Sequence, residues 1–488
     1  MAKKHIVVVG GGLAGLSTAC YALVNGWEVT IVEHNLALGG VCTAWRRGPY
    51  LVDGCIHWLT GGPFAQIYEE LQIVPPVQIQ VLEQFMTYRH RDGWSVALGR
   101  DLEALRVELR TIAPEDGEEI DRMIAAAHSI AELPPGIDKP PEITSMREQV
   151  RAMWAMRHEL GTIVHFRGSV REWVEEHIRN ERLRAFFRRM MPLEAPMLFA
   201  LMIFGYLARG WLSRPLGGTA PFRDALIDRF RKLGGRAMVG ATVDEILVQG
   251  DRVRGVRLSD GSDVDGDIVV STSSAPETVL RLLGGRYGAS DLRRRLSRWK
   301  LFDPIVLATF GVELDLRQTP STLIVDGVPR FAIGGRADDH LYVRVYNDDP
   351  SFAPPGHSVV QLMLATDYDW WAARGHGYAA AKDDVGERAL DLLDAELPGV
   401  RAATRMTDVA TPLTFWRATR SWRGAFEGWQ PTPDSFFGHV PKTLPGLDGL
   451  FLAGQWVEPG GGVPTALMSG RQLVQILCDQ EKRPFTSA

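Results

Sequence analysis

The chain has 488 residues, of which 45% are hydrophobic and 23% are charged, a composition that is typical of folded globular proteins and argues against extensive disorder. Its length suits about three domain-sized units. The formal net charge of −5 lacks the basic excess expected of a nucleic-acid-binding protein. Four cysteines, none in a Cys-x-x-Cys spacing, predict neither a disulfide framework nor a metal centre.

The N-terminal segment predicts a βαβ unit. Residues 5–9 (HIVVV) form a β-branched apolar run that indicates a buried parallel strand, residues 16–24 indicate a helix, and residues 28–32 indicate the next strand. The apolar run is shorter than a secretory signal requires, so we expect a cytoplasmic protein.

Three glycines and one acid occupy the positions that dinucleotide binding needs within this unit. Gly10, Gly12 and Gly15 follow the first strand, and Glu33 ends the second. The first glycine permits a tight turn, the second lets a diphosphate approach the backbone, and the third lets the helix pack on the strand. The helix N-terminus attracts the diphosphate, and the carboxylate can bind ribose hydroxyls. The pattern predicts a nucleotide site without distinguishing FAD from NAD.

A second glycine-rich region lies near the C-terminus. A strand predicted over residues 449–453 leads to Gly454, to a glycine triplet at 460–462 and to a helix over residues 463–478. Bare amides and the positive end of a helix suit the electron-rich edge of a ring such as a reduced flavin.

The middle of the chain shows mixed periodicity. We expect strand and helix pieces over 60–130, a loop over 134–141, helices over 145–212, an amphipathic helix over 222–233, a three-stranded β-meander over 242–270, strands over 305–311 and 359–365, and a helix over 378–396.

The longest apolar run, residues 195–208, has 14 residues, fewer than the about 20 that span a bilayer. A basic and aromatic stretch, residues 182–189, precedes it. The two segments together predict either an element that lies on a membrane surface or forms a lipid entrance, or a buried helix with a solvated basic flank.

Taken together, these motifs resemble the group of flavoproteins that includes phytoene desaturases, carotenoid isomerases and retinol saturases, within the wider amine-oxidase-like superfamily. The matching pieces are GGGLAGL with Glu33 and Gly39-Gly40, VDGCIHWLTGG at 52–62, LGG at 216–218, GGRAMVGATVDEI at 234–246, DGDIVVST at 265–272, TPLTFWRATRSWRGAFEGW at 411–429 and LAGQWVEPGGGVPTALMSGR at 452–471. The stretch from about 75 to 210 shows little resemblance.

The resemblance implies an α/β fold in which a Rossmann-like FAD-binding domain is interleaved with an α+β substrate domain. We expect the FAD-binding domain to comprise residues 1–74, 212–280 and 431–488. The substrate domain would comprise residues 75–211 and 281–430, with 110–211 mostly helical.

The resemblance also implies which residues contact FAD. Arg47 lies where such proteins approach the flavin, and the backbone at Val243 lies where they read the adenine. The full predicted set is Gly10, Gly12, Leu13, Ala14, Gly15, Glu33, Gly39, Gly40, Arg47, Val243, Gly454, Gly461, Gly462 and Val463.

Two residues are candidates for acid–base catalysis, because a hydride transfer to or from a flavin is accompanied by movement of a proton. His57 lies in a DGCIHW segment that is similar to a pattern of retinol saturases. Glu458 lies in the loop before the last helix, where phytoene desaturases often have a sequence similar to His-Pro-Gly. The alternative for His57 is a structural role near the ring. Asp53 is expected to organise its loop.

Trp416, Trp422 and Trp429 are clustered in the sequence and are candidates for contact with a long hydrophobic substrate. The alternative is that they are ordinary core aromatics. The arginines among them, Arg417, Arg420 and Arg423, are candidates for binding an anionic headgroup.

Three functions remain open on this evidence. The first is an FAD-dependent enzyme that desaturates, saturates or isomerises carbon–carbon bonds of a hydrophobic isoprenoid or polyene. The second is an oxidase of amines or other small molecules, and the third is a non-catalytic flavin-binding lipid carrier. No second Gly-x-Gly-x-x-Gly follows a strand, so we expect no dedicated NAD(P)H domain. The electron partner and the oligomeric state are left unassigned.

Overall fold

A five-stranded parallel sheet carries the N-terminal motif. The computed structural model describes residues 3–133, 138–436 and 438–487. The strands of this sheet are, in spatial order, Arg236–Val239, Glu28–Glu33, His5–Val9, Ile268–Ser271 and Leu450–Leu452. Helices Leu13–Val24, Thr219–Lys232 and Val463–Gln480 contribute to the core on one face. The predicted α/β, Rossmann-like architecture is confirmed.

A seven-stranded, mostly antiparallel sheet forms the second layer. Its strands are, in spatial order, Thr404–Ala410, Ile305–Val312, Ser358–Ala365, Arg336–Tyr346, Thr322–Ile333, Gln84–His90 and Ser95–Gly99. Smaller sheets pair Val243–Gln249, Arg252–Leu258 and Asp263–Asp265; Ala44–Arg47 and Tyr50–Asp53; and Leu59–Thr60, Leu212–Pro215 and Ile79–Val81.

Seven of the α-helices that the structure describes come from one stretch of the chain, residues 102–208. These are Leu102–Ile112, Gly117–Ile130, Met146–Ala155, Leu160–His165, Val170–His177, Glu181–Met190 and Met197–Ala208. The remaining α-helices are Ala65–Glu70, Ala289–Arg298, Tyr368–Ala372, Tyr378–Glu396, Val400–Ala403, Pro412–Thr419 and Pro433–Phe436. The loop expected over 134–141 lies outside the described residues at 134–137.

The predicted β-meander is wrong in its last strand. Asp263–Asp265 ends the antiparallel sheet, and Ile268–Ser271 enters the parallel sheet between two other strands. Gly266 donates to the carbonyl of Arg254 and Asp267 donates to the carbonyl of His5, so the chain changes sheets within two residues. The fully apolar, fully buried IVV sequence is typical of a strand covered on both faces.

The long apolar run forms a buried helix, Met197–Ala208. It crosses the Gly117–Ile130 helix at Gly205, where a Cβ would overlap the carbonyl oxygen of Ala127. In the part of the chain that the structure describes, no helix is both long and apolar enough to cross a bilayer. Phe186 and Phe187 of the preceding basic stretch are fully buried, which favours the alternative of a buried helix with a solvated basic flank.

Candidate active site

A cavity of about 1190 Å³ extends from the edge of the parallel sheet into the helical segment. We divide it into two arms. The glycine arm is lined by Gly10, Gly12, Leu13, Ala14, Glu33, Gly39, Gly40, Gly454, Gly461, Gly462 and Val463. The apolar arm is lined by Phe85, Met86, Ile130, Leu133, Met190, Leu198, Phe199, Met202, Ile203 and Tyr206. The volume is large for one small molecule and leaves space for a ligand in each arm.

In the glycine arm, the N-terminus of the Leu13–Val24 helix faces the cavity. Gly12 precedes this helix and supplies no side-chain cap, so the first amides are available to a ligand. A Cβ at Gly12 would meet only the Cα of Gly40, at 3.8 Å, and would extend into otherwise open space. At Gly15 a Cβ would overlap the carbonyl oxygen of Gly10, which explains the requirement for glycine at the third position.

The Glu33 side chain is buried at the end of its strand. Its carboxylate accepts hydrogen bonds from the Gly11 amide at 2.7 Å and the Asn35 amide at 2.8 Å. Each carboxylate oxygen retains a further acceptor position, which suits ribose hydroxyls. A buried carboxylate, an open glycine strip and an uncapped helix N-terminus are together the features that fit the adenosine diphosphate half of FAD.

The opposite wall of the glycine arm is the start of the Val463–Gln480 helix. Gly462 precedes this helix and gives it no side-chain cap either. Gly454 is fixed by a 2.7 Å hydrogen bond from its amide to Ser469 Oγ, within the same helix. A second positive helix end therefore faces the cavity, in a position that would stabilise negative charge on a flavin ring.

His57 lies in the cavity wall between two aromatic rings. Its ring stacks against those of Tyr342 and Phe426, at centroid distances of 6.4 and 6.5 Å. Burial, together with the positive charge of Arg344, lowers the pKa of His57 to about 4. Its Nε2 atom is buried without a hydrogen-bond partner in the described chain. His57 is thus a neutral imidazole with one nitrogen available to a ligand.

Glu458 also lines the cavity, but it is paired. Its carboxylate lies 2.6 Å from Nζ of Lys442, which is 1% exposed. The Lys442 amide in turn donates to Glu142, in the segment that leads into the helical region. A carboxylate held by a buried ammonium is a weaker candidate for proton transfer than the sequence indicated.

Sequence reasoning missed several residues that the structure brings to the same part of the cavity. These are Cys42, Cys55, Tyr342, Phe426 and Glu427. Cys42 and Cys55 continue the register of the Ala44–Arg47 and Tyr50–Asp53 pair, so they lie opposite each other. Phe426 and Glu427 belong to the FEGW segment, which carried no recognisable pattern beyond its place in the C-terminal block.

Asp53 occupies the expected structural position. Its carboxylate accepts hydrogen bonds from the amide and hydroxyl of Thr219, both at 2.6 Å, and from the Cys55 amide at 3.0 Å. It thus ties the loop that carries His57 to the start of the Thr219–Lys232 helix.

The helix Met197–Ala208 forms much of the apolar arm. Its lining residues, Leu198, Phe199, Met202, Ile203 and Tyr206, are spaced as one face of a helix. The opposite face packs into the core of the helical segment. The long apolar run is therefore explained by burial on one face and by the wall of a cavity on the other.

Six predicted residues lie outside the cavity lining: Gly15, Arg47, Val243, Trp416, Trp422 and Trp429. Arg47 is half exposed and pairs with Asp408, and Val243 is packed in an apolar cluster beside the parallel sheet. The Arg47 side chain therefore does not line the cavity, and the expected contact of the Val243 backbone with the adenine stays a prediction.

The three tryptophans expected to contact substrate also lie outside the cavity lining. Trp416 is partly exposed beneath Arg420, and Trp422 packs in a separate apolar cluster. Trp429 is buried and donates to the carbonyl of Trp456 at 3.0 Å. Trp456 lines the cavity, so Trp429 supports the wall without reaching the ligand space. Of the three arginines among them, Arg423 pairs with Asp369.

Comparisons with known proteins agree with this geometry. The family model described as flavin containing amine oxidoreductase matches residues 13–478. A neurosporene-forming phytoene desaturase from Rhodobacter capsulatus is 26% identical, over 99% of this chain and 95% of that protein. A chloroplastic prolycopene isomerase from an Oncidium hybrid cultivar is 22% identical, over 95% of this chain and 82% of that protein. The crystal structure of an oxidoreductase from Methanosarcina mazei shares the fold, with a TM-score of 0.67 at 17% identity and coverage of 96% and 100%.

Proposed function

Since the chain belongs to the family of flavin containing amine oxidoreductases, and is an FAD-dependent oxidoreductase, we propose that its substrate is a hydrophobic isoprenoid or polyene whose carbon–carbon bonds it desaturates, saturates or isomerises. The observation that carries the proposal is the continuity of the two arms. One arm suits a dinucleotide and the other suits an extended apolar chain, and they meet at His57.

The residues of each arm have distinct tasks in this proposal. Glu33 and the amides after Gly12 hold the adenosine diphosphate half of FAD, while Gly454 and the loop before Val463 face its ring. Bound FAD supplies two-electron chemistry, accepting or returning a hydride. The apolar arm excludes water and orients the chain of the substrate. His57, being neutral, can place a hydrogen bond beside the ring without bringing a charge.

An anaerobic titration of the purified flavoprotein tests this function. The flavin absorbance is followed while isoprenoids, polyenes, long-chain lipids and amines are added in turn. Bleaching by an isoprenoid, with a new double bond in the extracted product, supports desaturation. For protein reduced with dithionite, loss of a double bond supports saturation, and a change of geometry without net oxidation supports isomerisation. Bleaching by amines alone contradicts the proposed substrate class.

We also propose that the protein loads this substrate from a membrane surface, through a face that differs from the one expected from sequence. The membrane-facing patch consists of Met146, Val150, Met153, Trp154, Leu160 and Val164, all 54–77% exposed. Arg147, Arg151 and Arg157 are interleaved with it, and the guanidinium of Arg157 lies 3.5 Å from the centroid of the Trp154 ring. Exposed apolar side chains with interleaved arginines suit an interface with anionic lipids.

The patch is continuous with the apolar arm. Met156, which directly follows the Met146–Ala155 helix, and Ile163, within the Leu160–His165 helix, line the cavity. A lipid-soluble substrate could therefore pass from the bilayer into the cavity without crossing water. This continuity supports the membrane-facing patch rather than residues 182–189, whose aromatics are buried.

Vesicle sedimentation tests the membrane-facing patch. We expect the protein to sediment with phosphatidylcholine vesicles that contain phosphatidylglycerol, and less with phosphatidylcholine alone, because of the arginines. Trp154→Glu combined with Met153→Glu should abolish sedimentation while leaving flavin content unchanged. Val107→Glu, which places the same charge on an exposed apolar residue outside the patch, is the control. Equal sedimentation of both variants would contradict the assignment.

A further inference from the structure

Glu427 differs from every other carboxylate that lines the cavity. Among the carboxylates that line the cavity within residues 3–133, 138–436 and 438–487, Glu427 alone has no hydrogen-bond or ion-pair partner. The others are engaged: Glu33 with backbone amides, Glu194 with Arg171, Asp303 with Arg336, Asp338 with His340 and Glu458 with Lys442. An unpaired carboxylate in a largely apolar enclosure is costly to maintain, so its presence calls for a ligand or a reaction.

The position of Glu427 connects it to the junction of the two arms. Its side-chain carbons lie 3.3–3.5 Å from the point where a Cβ at Gly461 would stand, beside the loop that precedes the last helix. Its neighbour Phe426 stacks on His57. Glu427 therefore lines the cavity beside the loop at Gly461, and the residue that precedes it in the chain stacks on His57.

We propose that Glu427 is the catalytic acid–base group that exchanges a proton with the substrate. This inference rests on the proposed function. In desaturation, the C–H bond at one carbon breaks, its proton passes to the Glu427 carboxylate, and its electron pair forms the new C=C bond. The hydride that leaves the neighbouring carbon needs a two-electron acceptor, which bound FAD would supply. In the reverse direction the protonated carboxyl returns the proton.

The electrostatics of the junction suit this role. Burial raises the pKa of Glu427 to about 7, so both forms are populated near neutral pH. The groups around it have different ranges: His57 is neutral above a pKa of about 4, and a hydrogen bond with Cys42, together with burial, raises the pKa of Cys55 well above its usual value. Glu458 is paired with Lys442 across the same loop. A rate change around pH 7 that is present in wild type and lost in Glu427→Gln is therefore the change that identifies Glu427.

Three variants test the proposal: Glu427→Gln, Glu427→Asp and, as a control, Glu313→Gln, which removes a surface carboxylate paired with Arg405. We expect Glu427→Gln to bind flavin normally and to slow anaerobic bleaching by polyene at least about 100-fold. For wild type the bleaching rate should rise with pH through about 7, because the carboxylate is the active form. Glu427→Asp should recover part of the rate with the pH dependence retained, and the control should match wild type.

A second readout needs no turnover. Infrared difference spectra of wild type between pH 5 and 9, without substrate, should contain a protonated carboxyl band that titrates near pH 7 and is missing in Glu427→Gln. A band that persists in Glu427→Gln, or a Glu427→Gln rate equal to wild type, would overturn the assignment while leaving the proposed function intact. Wild type that reacts with no polyene would overturn the proposed function itself, and the inference with it. If Glu427→Gln loses flavin, Glu427→Asp tests the assignment instead. A partly recovered rate that keeps its pH dependence supports the role of Glu427, and a rate without that dependence overturns it.

Discussion

In the glycine arm the wall is mostly backbone, whereas in the apolar arm the wall is made of side chains from the helical segment. The glycine arm depends on a few positions where any Cβ would occupy ligand space or overlap another part of the backbone. The apolar arm depends on the summed shape of many interchangeable residues, such as Leu198, Met202 and Ile203. The first construction specifies one ligand chemistry strictly, and the second specifies only length, width and apolarity.

The largest effect is expected where one atom can close the glycine arm. Gly12→Val should abolish FAD binding with the fold retained, because its side chain would project into the open strip beside Gly40. Flavin content after purification and the melting temperature measure the two parts of this expectation. Gly377→Val is the control, since Gly377 has an ordinary φ of −77° and no neighbour within 4 Å of its Cβ position. Retention of a full complement of flavin in Gly12→Val would contradict the placement of the diphosphate.

A comparable change in the apolar arm should affect turnover and spare the cofactor. Met202→Trp adds bulk to the cavity face of the Met197–Ala208 helix. We expect flavin content equal to wild type and a loss of at least about tenfold in the rate with long polyenes, with shorter isoprenoids less affected, because overpacking of a wall narrows the space for the chain. The ratio of rates for long and short substrates is the measurement. A uniform loss for all lengths would show that the helix does not shape the path of the substrate.

Glu33→Ala should have a smaller effect on the cofactor than Gly12→Val. A hydrogen bond to a charged group contributes about 1.5–3 kcal/mol, which corresponds to a roughly ten- to hundredfold weaker Kd for FAD. The amides of Gly11 and Asn35 would lose their acceptor as well. Reconstitution of the apoprotein with FAD, followed by fluorescence quenching, measures the affinity. Undiminished affinity would refute the ribose assignment.

The two arms also differ in how far the sequence predicts them. The glycine arm could be assigned because Gly10, Gly12, Gly15 and Glu33 act through local backbone geometry, which a short motif encodes. The boundaries of the two predicted domains stay a prediction, although the strands of the parallel sheet come from the three segments assigned to the FAD-binding domain.

The sequence indicated the apolar arm only through the apolar run at 195–208. Apolar residues that line a cavity have the same composition as apolar residues that fill a core, so the sequence does not distinguish the two. The tryptophans illustrate the same limit. Trp429 is a core residue and Trp456 lines the cavity, and no local pattern distinguishes them. Glu427 was missed for a related reason: its lack of a partner is a property of the folded surroundings.

His57, where the arms meet, gives the smallest effect, a change in acid stability. Its folded pKa of about 4 lies below the usual histidine value of 6.5, so the neutral form stabilises the fold above about pH 6.5 and this stabilisation is lost as pH falls towards 4. We expect the free energy of unfolding of wild type to fall by up to about 1.4 kcal/mol more per pH unit in this window than that of His57→Gln. Urea denaturation at several pH values between 4 and 7 measures the difference.

Glu427 titrates in the opposite sense, since its raised pKa favours the fold at low pH. It is present in both proteins, so its contribution cancels in the comparison. The exposed residue His158, changed to Gln, is the control, and parallel curves for wild type and His57→Gln would mean that the imidazole at the junction is already hydrated or charged.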